Sequence, residues 1–128
     1  MKSRVVIGIG SNISPRANIA KALELLREKF FILAESHFIQ TKAIGRPEQR
    51  DFLNGAVLVE TQLDAYETRA LLKKMEEEIG REKTKDLFGS RVIDLDIIVW
   101  DGRILDEDFY GRDFLKKATL ELVPDLKY

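Results

Sequence analysis

Apolar and polar positions alternate in two distinct rhythms along the chain. Arg4 to Ile9 is a short run rich in β-branched residues, read as a strand, and it stops at the turn Gly10-Ser11-Asn12. Ser14-Pro15 reads as an N-cap followed by proline at the first helical position. Ile19, Leu23, Leu26 and Phe30 then recur at steps of 4, 3 and 4, which predicts a helix reaching about Phe30. Phe31 to about Gln40 reads as a second strand. Thr41 to Asp51, with Gly45 and Pro47, reads as a loop, and Phe52 to Glu60 as a third strand. Asp64 with Glu67 makes a capping box opening a second helix, whose buried stripe is Leu72, Met75 and Ile79 and whose stop is Gly80. Past the irregular basic segment Arg81 to Ser90 comes a fourth strand at Val92 to Trp100. A turn, a short helix near Arg112 to Thr119 and a tail complete the chain.

The order strand-helix-strand-strand-helix-strand predicts an α+β, ferredoxin-like βαββαβ fold, an antiparallel sheet with its helices packed on one face. The length of 128 residues suits a single domain spanning 1–128. The 45% hydrophobic and 34% charged residues fit an ordinary globular protein. Without cysteine, disulfide scaffolds, thiolate metal sites and cysteine nucleophiles drop out, and the lone His37 reads as a partly exposed strand residue with no role. The 21 basic and 22 acidic residues nearly balance, which speaks against bulk nucleic-acid binding. No apolar run approaches a signal or membrane segment, so no membrane association and a cytoplasmic location are expected.

The most informative stretch is Arg91-Val92-Ile93-Asp94-Leu95-Asp96-Ile97-Ile98. Strand alternation puts Asp94 and Asp96 on one face, with Cα atoms roughly 6.6–6.8 Å apart, and Ile93, Leu95 and Ile97 on the other. Like charges so placed are unfavourable unless a cation lies between them, and oxygen-only ligands favour Mg²⁺ shared with substrate phosphates. The alternative is a solvated strand face, although Asp is depleted in strands. Arg81, Lys83, Lys85 and Arg91 just upstream suit a polyphosphate, or else form a basic loop without a ligand. Gly8-Ile9-Gly10-Ser11-Asn12 imitates a dinucleotide-binding turn, but Ile13 replaces the third glycine and no parallel pattern follows, so a tight turn allowing close backbone approach fits better. Phe52 and Asn54 share strand parity, so a ring and an amide could act together on a planar heterocycle, unless Phe52 is simply core.

With these residues in place, the chain resembles the 6-hydroxymethyl-7,8-dihydropterin pyrophosphokinases of the folate pathway. Gly89-Ser90-Arg91-Val92-Ile93-Asp94-Leu95-Asp96 is similar to the family's Gly-small-Arg-x-x-Asp-x-Asp motif. Gly10-Ser11-Asn12, Gln49-Arg50-Asp51-Phe52-Leu53-Asn54 and Arg112-Asp113-Phe114 match three further blocks in order. The resemblance implies transfer of pyrophosphate from ATP to the hydroxymethyl group of the pterin, with release of AMP. It implies that Asp94 and Asp96 hold two Mg²⁺ ions, and that Arg81, Arg91, Asp94 and Asp96 form the catalytic set. Thr41, Ile44, Phe52, Asn54 and Phe114 would bind the pterin; Glu76, Arg81, Lys83, Arg91, Ile97 and Arg112 would face ATP. A monomer is expected.

The chain also departs from the family. The span from Asp101 to Arg112 is shorter than usual and lacks a Pro-His pair, presenting Asp106-Glu107-Asp108-Phe109 instead. Ala43 stands for a proline in the Thr41 loop, and Leu87 and Phe88 precede the Gly-small-Arg motif where a basic residue and Trp are common. Two alternatives follow: a family-like protein with reduced activity or a different pterin, and a non-enzymatic ferredoxin-like ligand-binding module. RNA-recognition sheets carry aromatics on central strands, and Val5 to Ile9 has none.

Overall fold

The computed structural model describes residues 1–42, 51–80 and 92–128. Within these the elements are β1 (Ser3–Ser11), α1 (Pro15–Lys29), β2 (Phe31–Glu35), β3 (Ile39–Thr41), β4 (Phe52–Thr61) and α2 (Ala65–Ile79). They continue with β5 (Asp94–Trp100), β6 (Arg103–Ile104), α3 (Asp108–Gly111) and α4 (Asp113–Leu122). The strands run β2-β4-β1-β5-β6, with β3 also pairing β4, and the pairings are antiparallel. Counting β2 and β3 as one interrupted strand, this is the ferredoxin-like arrangement expected from the sequence.

The sheet has two covered faces because its strands alternate. Val5, Ile7 and Ile9 of β1 join Val57, Val59, Leu95 and Ile97 beneath α1 and α2, whose Ile19, Leu26, Leu72, Met75 and Ile79 supply the apolar stripe. Both of these helices lie on one face, as expected. The C-terminal helix is longer than its sequence signal and adds a layer to the opposite face, where Leu115 and Ala118 of α4 meet Val6, Ala56 and Ile98. A register shift between Val6 and Ile7 in the β1–β5 pairing switches parity, so Ile97 serves the first core and both Ile98 and Val99 the second.

Local differences from the sequence reading have identifiable causes. Strand β1 continues through Gly10 and Ser11 rather than turning there, because Gly10 stays paired with both Asn54 and Asp94. Ser14 takes the N-cap position with φ 39° and makes no capping bond; Asn18 Nδ2 instead donates to the Ile13 carbonyl at 2.6 Å. The capping box of α2 forms as expected, Glu67 N donating to Asp64 at 2.7 Å and Asp64 N to Glu67 at 3.0 Å. The expected strand from Phe31 to Gln40 is broken at 36–38. There Ser36 trades two 2.9 Å bonds with the Ala56 backbone, while the Phe38 ring covers Gly55 so closely that a Cβ at that glycine would fall 2.6 Å from it. His37 therefore sits between two strands, not within one, and is bonded to α4.

Candidate active site

The site begins with two missing side chains. Gly8 and Gly10 occupy alternate positions of the central strand, so both present bare backbone to the face that α4 only partly covers. Gly8 lies between Ala56 and Asp96, and Gly10 between Asn54 and Asp94. A Cβ at Gly10 would sit 2.5 Å from Asn54 Oδ1, so glycine here makes room for that amide. The result is a trough across β1, widening into a cleft of about 400 Å³ walled by β4, β5, α4 and the second half of α2.

The β4 wall is shaped for a flat polar ligand. Phe52 and Asn54, two residues apart, both face the cleft and are half-buried. Asn54 Nδ2 donates to Thr41 Oγ1 at 2.6 Å, which fixes the amide plane and leaves its Oδ1 over Gly10. Phe114 lines the cleft from α4. An aromatic face, an oriented amide and a second ring form the kind of slot that stacks and edge-reads a heterocycle.

The β5 wall is anionic. Asp94 and Asp96 share the cleft face as the alternation predicted, with Leu95 and Ile97 buried behind them. Cleft burial pushes the Asp96 carboxyl up to about 6, the neighbouring Asp94 and Asp106 adding to the effect and Lys73 opposing it. Glu76 reaches from α2 to the outer edge of β5, where its Oε2 accepts the Leu95 N–H at 2.7 Å. That bond satisfies an edge donor of the strand. Burial again raises the Glu76 carboxyl, the Leu95 N–H and Lys73 counteract it, and Asp94 and Asp96 raise it further. Hard oxygen donors crowded at a cleft wall fit Mg²⁺, which keeps waters and substrate phosphates among its ligands. Among the described residues no set of three or more acidic or histidine side chains is arranged to hold a metal alone, so substrate oxygens would complete such a shell.

Of the residues singled out in the sequence, Thr41, Phe52, Asn54, Glu76, Asp94, Asp96, Arg112 and Phe114 converge on this one cleft. Ile97 does not: its side chain is buried in the opposite core, where it joins Leu95 beneath α1 and α2. Ile44, Arg81, Lys83 and Arg91 lie outside the described residues. Lys42 and Lys73, which no motif singled out, also line the cleft, together with Asp106 and Asp108 of the acidic stretch that replaces the Pro-His pair. Lys73 stands 3.9 Å from Glu76 one helical turn on, a spacing readable from the sequence. Asp108 holds the Arg112 guanidinium at 3.4 Å. No local pattern signals that pair as part of the cleft wall.

A family model described as 7,8-dihydro-6-hydroxymethylpterin-pyrophosphokinase (HPPK) matches residues 6–124. The chain belongs to the HPPK family. The 2-amino-4-hydroxy-6-hydroxymethyldihydropteridine pyrophosphokinase of Aquifex aeolicus is 33% identical, the match covering 95% of this chain and 81% of that relative. The Haemophilus influenzae protein of the same description is 27% identical over 94% of this chain and 81% of its own. A folate synthesis bifunctional protein of Arabidopsis thaliana is 37% identical over 84% of this chain, which corresponds to 21% of that longer polypeptide. The residues that line the cleft, from Gly8 to Ala118, all fall within the HPPK match.

Proposed function

We infer that the chain is an ATP-dependent pyrophosphokinase of folate biosynthesis, transferring the terminal pyrophosphate of ATP to the hydroxymethyl oxygen of 6-hydroxymethyl-7,8-dihydropterin and releasing AMP. The observation that carries this reading is the trough itself: Phe52 and Asn54 stand on one side of Gly8 and Gly10, Asp94 and Asp96 on the other, in a chain that matches HPPK over residues 6–124. Phe52, Phe114, Asn54 and Thr41, with backbone near Ile44, take the pterin. Asp94 and Asp96 take two Mg²⁺ ions, which when bound neutralise the phosphate charge and polarise the β-phosphorus. Glu76, Arg112, Arg81, Lys83, Arg91 and the backbone at Ile97 face the nucleotide.

Such a reaction asks for alignment and charge stabilisation, not a protein nucleophile. The hydroxymethyl oxygen forms a bond to the β-phosphorus while the bond from that phosphorus to the α,β-bridging oxygen breaks. AMP leaves with the bridging oxygen and the hydroxyl proton goes to solvent. The residues of the β4 wall hold the pterin flat, which points its exocyclic carbon toward the β5 wall. Arginines of the catalytic set bind the phosphate oxygens as charge redistributes. Among the described residues no helix is long and apolar enough to cross a membrane. A cytoplasmic monomer fits this reading, since one chain supplies both walls of the cleft.

Asp106 and Asp108 on the cleft rim favour a second reading, a family fold that binds pterin but handles the nucleotide poorly. Purified protein given Mg²⁺-ATP and the hydroxymethyl dihydropterin separates the two. The first reading predicts pterin-dependent AMP without ADP. Pterin binding with no AMP would support the second, and binding of neither substrate would overturn both.

A further inference from the structure

We propose that His37 and Glu121 form a clasp that fixes the spacing of the two walls around the pterin, making them positioning residues; the proposal rests on the pterin assignment of the β4 side. The link between β2 and β3 is anchored on either side of His37. Ser36 is held by its two 2.9 Å bonds to Ala56, and Phe38 lies against Gly55, which itself lines the cleft. Immediately after, β3 pairs Ile39 with Asn54 and Thr41 with Phe52, so this segment and the pterin-side residues move as one unit.

His37 points away from the sheet and meets α4 near its end. The Glu121 carboxylate accepts the His37 backbone N–H at 3.1 and 3.3 Å, and its Oε2 lies 2.7 Å from Nδ1 of the ring, which donates there when it carries the proton. These contacts join residues 84 positions apart and hold the Glu121 carboxyl below its usual range, with Lys117 nearby adding to the effect. The same helix presents Phe114, Leu115 and Ala118 to the cleft. The α4–sheet packing is built mainly from apolar side chains such as Leu115, Ala118, Val6 and Ile98, and apolar burial is non-directional, so it resists separation better than sliding. A directional contact at the far end sets where along the sheet Phe114 stands opposite Asn54 and Phe52. Neither residue falls in the four motif blocks of the sequence, and the pair emerges only from the fold.

The test compares the full chain with Glu121→Ala, Glu121→Gln and His37→Ala. It measures steady-state AMP release, and pterin affinity by ligand fluorescence with each protein's melting temperature alongside. Glu121→Ala should weaken pterin affinity about two- to fivefold, the range set by an exposed charged pair. The KM for ATP and kcat should stay unchanged. Glu121→Gln, whose amide oxygen still accepts the backbone N–H, should recover most of the loss. Unchanged pterin affinity in Glu121→Ala would overturn the clasp, as would equal losses for both substrates tracking the fall in melting temperature. A wild-type chain that binds pterin but releases no AMP would overturn the proposed reaction alone, the affinity ratios still deciding the clasp. A wild type that binds no pterin would overturn both.

Discussion

Removing one carboxylate from the cleft should stabilise the protein while destroying its activity. Asp96 has its carboxyl raised from an ordinary 3.8 to about 6 by cleft burial and by Asp94 and Asp106. For an acid raised on folding, the penalty falls on the ionised form. It is absent below pH 3.8, grows between pH 3.8 and about 6 and is complete above that. At about 1.36 kcal/mol per pH unit the ceiling is about 3 kcal/mol. The Asp96 side chain is nevertheless exposed to water at the cleft wall, and screening reduces the expected effect to about 1 kcal/mol. In EDTA at pH 7.5, Asp96→Asn should therefore gain about 1 kcal/mol in urea unfolding, or roughly 2–6 °C in Tm. Near pH 4 the gain should shrink toward zero. With Mg²⁺-ATP present, the same variant should lose on the order of 10²–10³ in turnover, as expected for removal of a preorganised charge stabiliser. A variant no more stable than wild type at pH 7.5, or equally stabilised at pH 4, would refute the electrostatic argument.

Three further outcomes follow from particular contacts. Gly10→Ala places a methyl 2.5 Å from Asn54 Oδ1, so it should displace the amide from Thr41 and weaken pterin binding by at least about tenfold, read by fluorescence titration. Asn54→Leu should abolish most pterin affinity while leaving ATP affinity within about twofold, since the half-buried amide is lost on one side of the trough only. Thr68→Val should raise stability by up to about 1 kcal/mol with unchanged turnover, because the Thr68 hydroxyl is buried without a hydrogen-bond partner among the described residues; chemical denaturation reads this.

Elements whose signal is local were legible in the sequence. Ile19 to Phe30 and Leu72 to Ile79 carry a helical period, the Asp64–Glu67 box marks a helix start, and Asp94 and Asp96 alternate with apolar neighbours that need a core. Strand parity alone placed Phe52 with Asn54 and Asp94 with Asp96. What escaped depends on distant residues. The break at 36–38 exists because Phe38 fills the space over Gly55, and the glycines at 8 and 10 look like a turn until Gly8 is seen pairing with Ala56 and Asp96 and Gly10 with Asn54 and Asp94. Ile97 was placed by family position, while the register shift and parity bury its side chain. Lys73 and Asp106 join the cleft only because α2 and the segment after β6 close around β5.

In the proposed reaction one trough holds the two substrates side by side, pterin over β4 and phosphates over β5. Paramagnetic relaxation of pterin protons by Mn²⁺ bound with a non-hydrolysable ATP analogue tests it directly. Strong broadening of the bound pterin's exocyclic CH₂ signal is expected, lost in Asp94→Ala and Asp96→Ala although pterin still binds. Bound pterin showing no Mn²⁺ broadening in the wild-type chain, or unchanged broadening in both variants, would contradict this placement of the substrates.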